Sequence, residues 1–289
     1  MVIMPKPYQT RLNDILAVMV SYQVGLAASE TFTSLTDCLK AHKLSMDIVV
    51  YDNSREPISM GDYATCRNWF ITYIHDQSNS GVSKAYNTAF SIARKKRKKW
   101  ILLLDQDTRF PINALHSYID SLTAHPGEHL FAPALLVGQK MISPCRYYFK
   151  RGFHLKSSSP GIHSIRHKTI LNSGMCISAD AFEKNNGYND KIRLYFSDLD
   201  FIERYAKLFN SFCLIDMQCM HNHGHDNGNF DNTISRFRLY CEGARQSSHN
   251  AWDFIILFIM LSFRSLGYSV RHRSFAFVAI FARYFLQKT

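Results

Sequence analysis

An α/β fold with a mostly parallel central sheet flanked by helices is what this 289-residue sequence predicts, and three observations carry the prediction. Residues 15–20, 47–51 and 100–104 are short apolar runs with little polar alternation, which suits strands covered on both faces. Between them lie segments with apolar residues at helical spacing, first Phe32, Leu35 and Leu39, then Val82, Ala85, Tyr86, Ala89, Phe90 and Ala93. Each apolar run also ends in polar residues: Ser21-Tyr22-Gln23, Asp52-Asn53-Ser54 and Asp105-Gln106-Asp107-Thr108. Ligands of open parallel sheets bind beyond the carboxyl edge, so these exits mark a candidate site.

Taken in order, residues 1–13 carry Lys6 and Arg11 but no apolar core or small-residue cleavage site, so no secretory signal is expected. After the first two strands, Tyr73-Ile74 opens a shorter run, and Asn79-Ser80-Gly81 leads into the second helix. Six consecutive cations, 94–99, close that helix; they read either as a solvated terminus complementing the dipole or as a contact for anionic lipid. Pro111 suits the first turn of the next helix. From 126 to 168, Pro144, Gly152, Pro160 and Gly161 predict irregular structure with short strands. Pattern returns at 172–178, followed by a helix holding Ala181 and Phe182 and by a Gly187-Tyr188 turn. Ser197 with Asp200 resembles a capping box at a helix start. The apolar stretch 212–215 precedes His221, His223 and His225.

Hydrophobic content of 46% with 20% charged residues excludes a disordered chain, and a net charge of +11 calls for an anionic partner. Seven scattered cysteines without a Cys-x-x-Cys pair argue against zinc or dithiol chemistry and fit a reducing compartment. In the tail, residues 254–263 and 275–286 form two apolar runs separated by Arg264, Arg271, His272 and Arg273. Neither is long enough to span a bilayer. They read as interfacial membrane helices, or as core or oligomer-interface helices.

Asp105 and Asp107 are hard oxygen ligands suited to Mg²⁺ or Mn²⁺, or else part of a polar turn. Asp198 stands in a first helical turn, where the dipole stabilises a carboxylate or where it can act as a base. One of the three histidines could complete a metal site, or all could lie in a polar loop.

Together these stretches resemble the family 2 glycosyltransferases of GT-A fold, and within them the bacterial rhamnosyltransferase-like branch. Leu103-Leu104-Asp105-Gln106-Asp107-Thr108 matches that branch's Leu-Leu-Asp-Gln-Asp-(Ser/Thr), and the resemblance covers about 15–246. It implies a glycosyltransferase domain over 1–246, with a donor-binding half at about 14–125 and an acceptor-side half at about 126–246, then a membrane-associating helical extension over 247–289. It places nucleotide contacts on Ser21, Tyr22, Asp52, Asn53, Asn79, Gly81, Asn87, Asp105 and Gln106, with Asp52 at the pyrimidine base. A divalent metal, Mg²⁺ or Mn²⁺, would sit on Asp105, Asp107 and His221, with His223 as the alternative. Phe196-Ser197-Asp198-Leu199-Asp200 with Arg204 resembles Phe-Glu-Asp-Val-Asp-x-x-x-Arg, which makes Asp198 the catalytic base; Ser197 replaces the Glu. Ser173, Gly174, Asp200 and Arg204 fall on the acceptor side. Arg238-x-Tyr240 and Arg245-Gln246 resemble a branch motif that ends Arg-Asn.

The resemblance also implies the donor, dTDP-L-rhamnose or a UDP-sugar, and a polyprenyl-diphosphate-linked saccharide as acceptor. The expected place is the cytoplasmic face of the bacterial inner membrane, against an anionic lipid surface, in O-antigen or other surface-polysaccharide synthesis. A metal-dependent phosphohydrolase or nucleotidyltransferase could use the same two carboxylates. A basic nucleic-acid-binding protein is the remaining alternative, but nucleic acid is not the expected partner, because no helix-turn-helix, RNA-binding aromatic motif or zinc finger accompanies the charge.

Overall fold

The computed structural model describes residues 6–61, 66–222 and 229–287. The chain runs through α1 (Lys6–Asn13), β1 (Ile15–Ser21), α2 (Glu30–His42), β2 (Met46–Asp52), β3 (Trp69–His75), α3 (Val82–Lys95), β4 (Trp100–Asp105), β5 (Thr108–Arg109) and α4 (Ala114–Ala124). It continues with β6 (Leu130–Val137), β7 (Lys140–Ser143), β8 (Cys145–Tyr148), β9 (Arg151–His154), β10 (Gly161–Ser164), β11 (Lys168–Thr169), β12 (Cys176–Ser178) and α5 (Ala179–Lys184). The last elements are α6 (Ser197–Leu208), β13 (Ser211–His221), α7 (Phe230–Gln246), α8 (Ala251–His272) and α9 (Ala276–Phe281).

The main sheet has the order β10-β13-β6-β12-β4-β1-β2-β3, with β5 added on β13 and β7 on β6. The β4-β1-β2-β3 half is parallel throughout, as is β6 with β13, while β12 enters antiparallel between β4 and β6. A second small sheet, β11-β8-β9, stands beside it. Every residue of β1 is buried, and its side chains alternate between two cores. Ala17 and Met19 meet Phe32, Leu35, Leu115 and Tyr118 of α2 and α4 on one face. Leu16, Val18 and Val20 meet Tyr86, Ala89, Phe182 and Phe201 of α3, α5 and α6 on the other. At about 1.5–3 kcal/mol for each large side chain withdrawn from water, these two layers fix the sheet and hence its carboxyl edge.

Three expectations change. Residues 130–137 form a central strand, not irregular chain: Leu130 to Leu135 are buried. Pro133 conceals this in the sequence, since it cannot donate to a ladder. The strand tolerates it because the β6–β13 register shifts there, from Ala132 opposite Leu214 to Ala134 opposite Gln218. The capping box is not formed either: α6 starts one residue earlier, from Phe196 in a left-handed conformation, and Ser197 is already helical. Finally, the first apolar run of the tail does not stop at Arg264. It belongs to one 22-residue helix, α8, long and apolar enough by length and composition to cross a membrane. Arg264 is accommodated because its guanidinium stacks on Tyr240, 4.3 Å from the ring centroid.

Helices α7, α8 and α9 share a third core, in which Phe237, Leu257, Leu261, Phe277 and Phe285 pack with Ile192 and Phe196. The cationic stretch at the end of α3 lies at the amino edge of the sheet. Lys96 and Lys98 pair with Asp47, Lys99 with Asp14 and Arg94 with Glu183, so most of that charge is met within the chain.

Candidate functional site

Strand register gathers the polar exits on one edge. Val20 of β1 lies opposite Asp105 of β4, and Ser21 opposite Asp52 of β2. The long strand β13 reaches the same edge from the other half of the sheet, because His221 pairs with Thr108 of β5. A cleft of about 490 Å³ opens there, lined among others by Tyr22, Asp105, Asp107, Asp198, His221 and Arg236.

Asp105 accepts a hydrogen bond from the Tyr86 hydroxyl at 3.1 Å. Burial and the negative charge of Asp107 raise its carboxyl above the ordinary range, opposed by His221 and Tyr86. His221 Nδ1 lies 3.6 Å from Asp107 Oδ1 and 2.7 Å from Thr108 Oγ1. Thr108 Oγ1 in turn contacts Ser173 Oγ at 2.7 Å, so a buried hydroxyl pair orients the imidazole from behind. Among the described residues, no three His, Cys, Asp or Glu side chains stand together as a closed metal site. Asp107 and His221 are an oxygen–nitrogen donor pair that suits Mn²⁺ or Mg²⁺, ions that also bind substrate phosphate oxygens and water. His223 lies outside the described residues, as do Gly224 and His225.

Asp198 faces the cleft from the first turn of α6. Burial pushes its carboxyl up to about 6; the Leu199 N–H opposes this with a 2.9 Å hydrogen bond, and the charge of Asp105 adds to it. Its aim depends on Phe196, a bulky residue at φ 71°. Such a conformation persists only where packing enforces it. Here the Phe196 ring packs edge-on against Tyr240, and Gly243 lets α7 approach so closely that a Cβ would lie 2.2 Å from the Tyr195 carbonyl oxygen.

The other expected residues divide into those facing the cleft and those supporting it. Tyr22 is 47% exposed and lines both the cleft and an adjoining hollow with Asn53, Arg55 and Asn79. Gln106 clamps the β1 exit, its Oε1 accepting from Tyr22 N–H at 2.8 Å and from the Ser21 hydroxyl at 3.3 Å. Asp52 is wholly buried and accepts from Ser54 N–H, Ile58 N–H and Tyr73 hydroxyl. Burial raises its carboxyl, but these bonds outweigh that and leave it below the ordinary range.

Gly81 caps α3 at φ 93°, ψ −179°, a region open essentially to glycine, with the Arg193 carbonyl pressed against it. Asn87 is turned from the cleft: it donates to Tyr188 O and Asp190 and accepts from Tyr188 N–H, holding the 187–190 turn. Gly174 packs on Pro133 and Tyr118, where a Cβ would not fit. Asp200 and Arg204 also lie off the cleft lining. They pair at 2.8 Å, and His249 Nε2 sits 3.0 Å from the other Asp200 oxygen. Arg238 pairs with Glu242, and Arg245 stacks over Phe254.

Sequence reasoning passed over Asn172, Tyr195 and Arg236 and met Tyr240 only as part of the Arg238-x-Tyr240 resemblance, yet all four line the cleft. Arg236 donates to the Tyr195 hydroxyl at 2.7 Å. The i, i+4 spacing of Arg236 and Tyr240 on α7 was the available signal.

A family model described as glycosyl transferase family 2 matches residues 17–168. No curated protein sequence matches the chain. Among solved structures, the chain is similar to S. aureus TarS, residues 1–349, in complex with UDP-GlcNAc. The TM-score is 0.51 at 12% identity, over 86% of this chain and 71% of that one. At that identity the likeness is one of fold, and the architecture is GT-A-like.

Proposed function

Because the chain belongs to glycosyl transferase family 2 and is therefore a glycosyltransferase, we propose that it transfers L-rhamnose from dTDP-L-rhamnose to a lipid-linked saccharide, with inversion. The observation that carries the mechanism is that Asp198, from the acceptor-side half, shares one cleft with Asp105 and Asp107 of the donor-side half. The donor's nucleoside lies over Tyr22 and Asn53, and its diphosphate reaches Asp107 and Arg236. Asp107 and His221, with Asp105 beside them, would hold a divalent cation, whose positive charge would offset that of the departing diphosphate.

Asp198 accepts the proton of the acceptor hydroxyl as that oxygen bonds to the anomeric carbon. The bond from that carbon to the phosphate oxygen breaks on the opposite face, and its electron pair leaves with the nucleoside diphosphate. The raised carboxyl of Asp198 suits this role, since a base poised near the working pH takes the proton most effectively. A UDP-sugar is the second donor reading, favoured by the similarity to a structure holding UDP-GlcNAc.

The tail supports a place for the enzyme at a membrane surface. Trp252, Ile255, Ile259, Phe263, Leu266 and Val270 form an exposed apolar stripe at i, i+3, i+4 spacing on α8, opposite the buried Leu257, Leu261 and Ser265. A stripe of this kind lies in a membrane interface, here the cytoplasmic face of a bacterial inner membrane. Surface-polysaccharide synthesis, such as that of O-antigen, fits this position. One experiment addresses donor, acceptor and place together. Salt-washed membranes from cells expressing the chain should move label from dTDP-L-rhamnose into solvent-extractable glycolipid. Label entering only water-soluble product, or activity staying in the soluble fraction, would contradict the reading.

A further inference from the structure

A second groove adjoins the catalytic cleft, between the β8–β9 hairpin and α8. Its walls are apolar, with Phe149, Phe153, Ile259 and Phe263 prominent, and two guanidinium groups, Arg151 and Arg264, stand among them. The groove measures about 610 Å³. Tyr240 lines both it and the cleft, and Gly152 of the cleft wall stands between Arg151 and Phe153 of the groove. The two hollows are therefore neighbours sharing one tyrosine.

Phe149 and Phe263 are 68% and 73% exposed, an uncommon outlay of aromatic surface beside a catalytic site. The cations are placed with equal selectivity. Arg264 stacks on Tyr240 and Arg151 lies over Phe153, and a guanidinium that stacks by its face still donates hydrogen bonds from its edge. Ile259 and Phe263 belong at once to the groove and to the exposed stripe of α8, so an aliphatic chain could pass from a bilayer into the groove without crossing polar surface.

We propose that this groove holds the isoprenoid chain of a polyprenyl-diphosphate-linked acceptor. Arg151 and Arg264 meet the diphosphate, and the saccharide passes Tyr240 toward Asp198. The assignment rests on reading the cleft as a transferase site with a lipid-linked acceptor, and it gives that acceptor a location. Charge complementarity selects the occupant: two arginines suit a diphosphate bidentately, whereas a neutral lipid would leave both without a counter-charge.

The probe is radiolabelled farnesyl diphosphate, measured by equilibrium dialysis with the full chain. Wild-type protein should bind it at least tenfold more tightly than it binds inorganic pyrophosphate or farnesol. Ile259→Asp and Arg151→Glu should each weaken that binding tenfold or more. Phe70→Asp, on the exposed face of β3 away from the groove, should bind as wild type does. Melting temperatures show whether each variant is folded, and two chemically different groove variants guard against one failing to fold.

Equal affinity in both groove variants, or no binding by wild type, would overturn the proposal. Loss of binding to phosphatidylglycerol vesicles with farnesyl diphosphate affinity intact would also overturn it, since the groove would then be a bilayer contact. Donor turnover by the wild-type preparation keeps the two readings apart. Turnover without farnesyl diphosphate binding strikes the groove alone, and binding without turnover of any donor strikes the reading of the cleft.

Discussion

Asp198→Asn is expected to lower kcat by about 10²- to 10⁴-fold, the range that positioned general bases contribute. Asparagine keeps the size of the side chain and can still accept from the Leu199 N–H, so the start of α6 has no reason to shift. It cannot hold the proton of the acceptor hydroxyl. Donor affinity should therefore stay near that of wild type while turnover fails, which separates lost chemistry from lost binding. The same carboxyl sets the pH response. Its affinity for the proton is raised to about 6, so the active, deprotonated form is present above that pH and is lost as pH falls through it. Wild-type kcat/KM should fall about tenfold per pH unit on the acid side, and the residual activity of Asp198→Asn should not follow it. A variant that turns over normally would remove Asp198 as the base.

Asp107→Ala is expected to abolish transfer, with a loss of ~10³-fold or more in kcat/KM, because it removes the carboxylate that would hold the charge-neutralising cation. Stability should not fall with it. Alanine gives up the 3.6 Å contact with His221 but also relieves the repulsion by which Asp107 pushes up the Asp105 carboxyl, so the two effects oppose each other. An unchanged or higher melting temperature together with lost activity and lost response to added Mn²⁺ is the expected combination. Activity that survives and still responds to Mn²⁺ would place the metal elsewhere.

The parts of this site that could be read in the sequence are those built from local signals. The runs at β1, β2 and β4 are almost wholly apolar because both faces are covered, and the polar residue ending each run falls on the sheet edge where chemistry gathers. Asp105 and Asp107 could be named for that reason, and Asp198 from its place in a first helical turn and from the Phe196-to-Arg204 resemblance. Supporting residues could not be separated from facing ones, because their difference is tertiary. Asn87 was expected among the nucleotide contacts with Gly81, yet its amide holds the 187–190 turn, 101 residues away. Asp200, two residues after Asp198, spends its charge on Arg204 instead of the cleft.

The residue pattern alone left His221 among three candidates, and only the family resemblance put it first, with His223 as the alternative. The place of His221 beside Asp107 arises from a two-residue strand, β5, pairing with the end of β13 across 113 residues of sequence, and no local pattern encodes that. The interior strand β6 was hidden by Pro133, and the continuity of α8 by Arg264. In both cases a distant partner makes the residue acceptable: a register shift in β13 for the proline, and the ring of Tyr240 for the arginine.

The most direct test of the account is donor turnover by the purified full chain, supplied in turn with dTDP- and UDP-sugars, with and without Mn²⁺ or Mg²⁺, while released nucleoside diphosphate is followed. Metal-dependent release of dTDP from dTDP-L-rhamnose is expected, with little release from the other donors. Selective release of UDP from a UDP-sugar would replace the donor and keep the site. Failure to turn over or bind any nucleotide-sugar, or release of inorganic phosphate in place of nucleoside diphosphate, would contradict it.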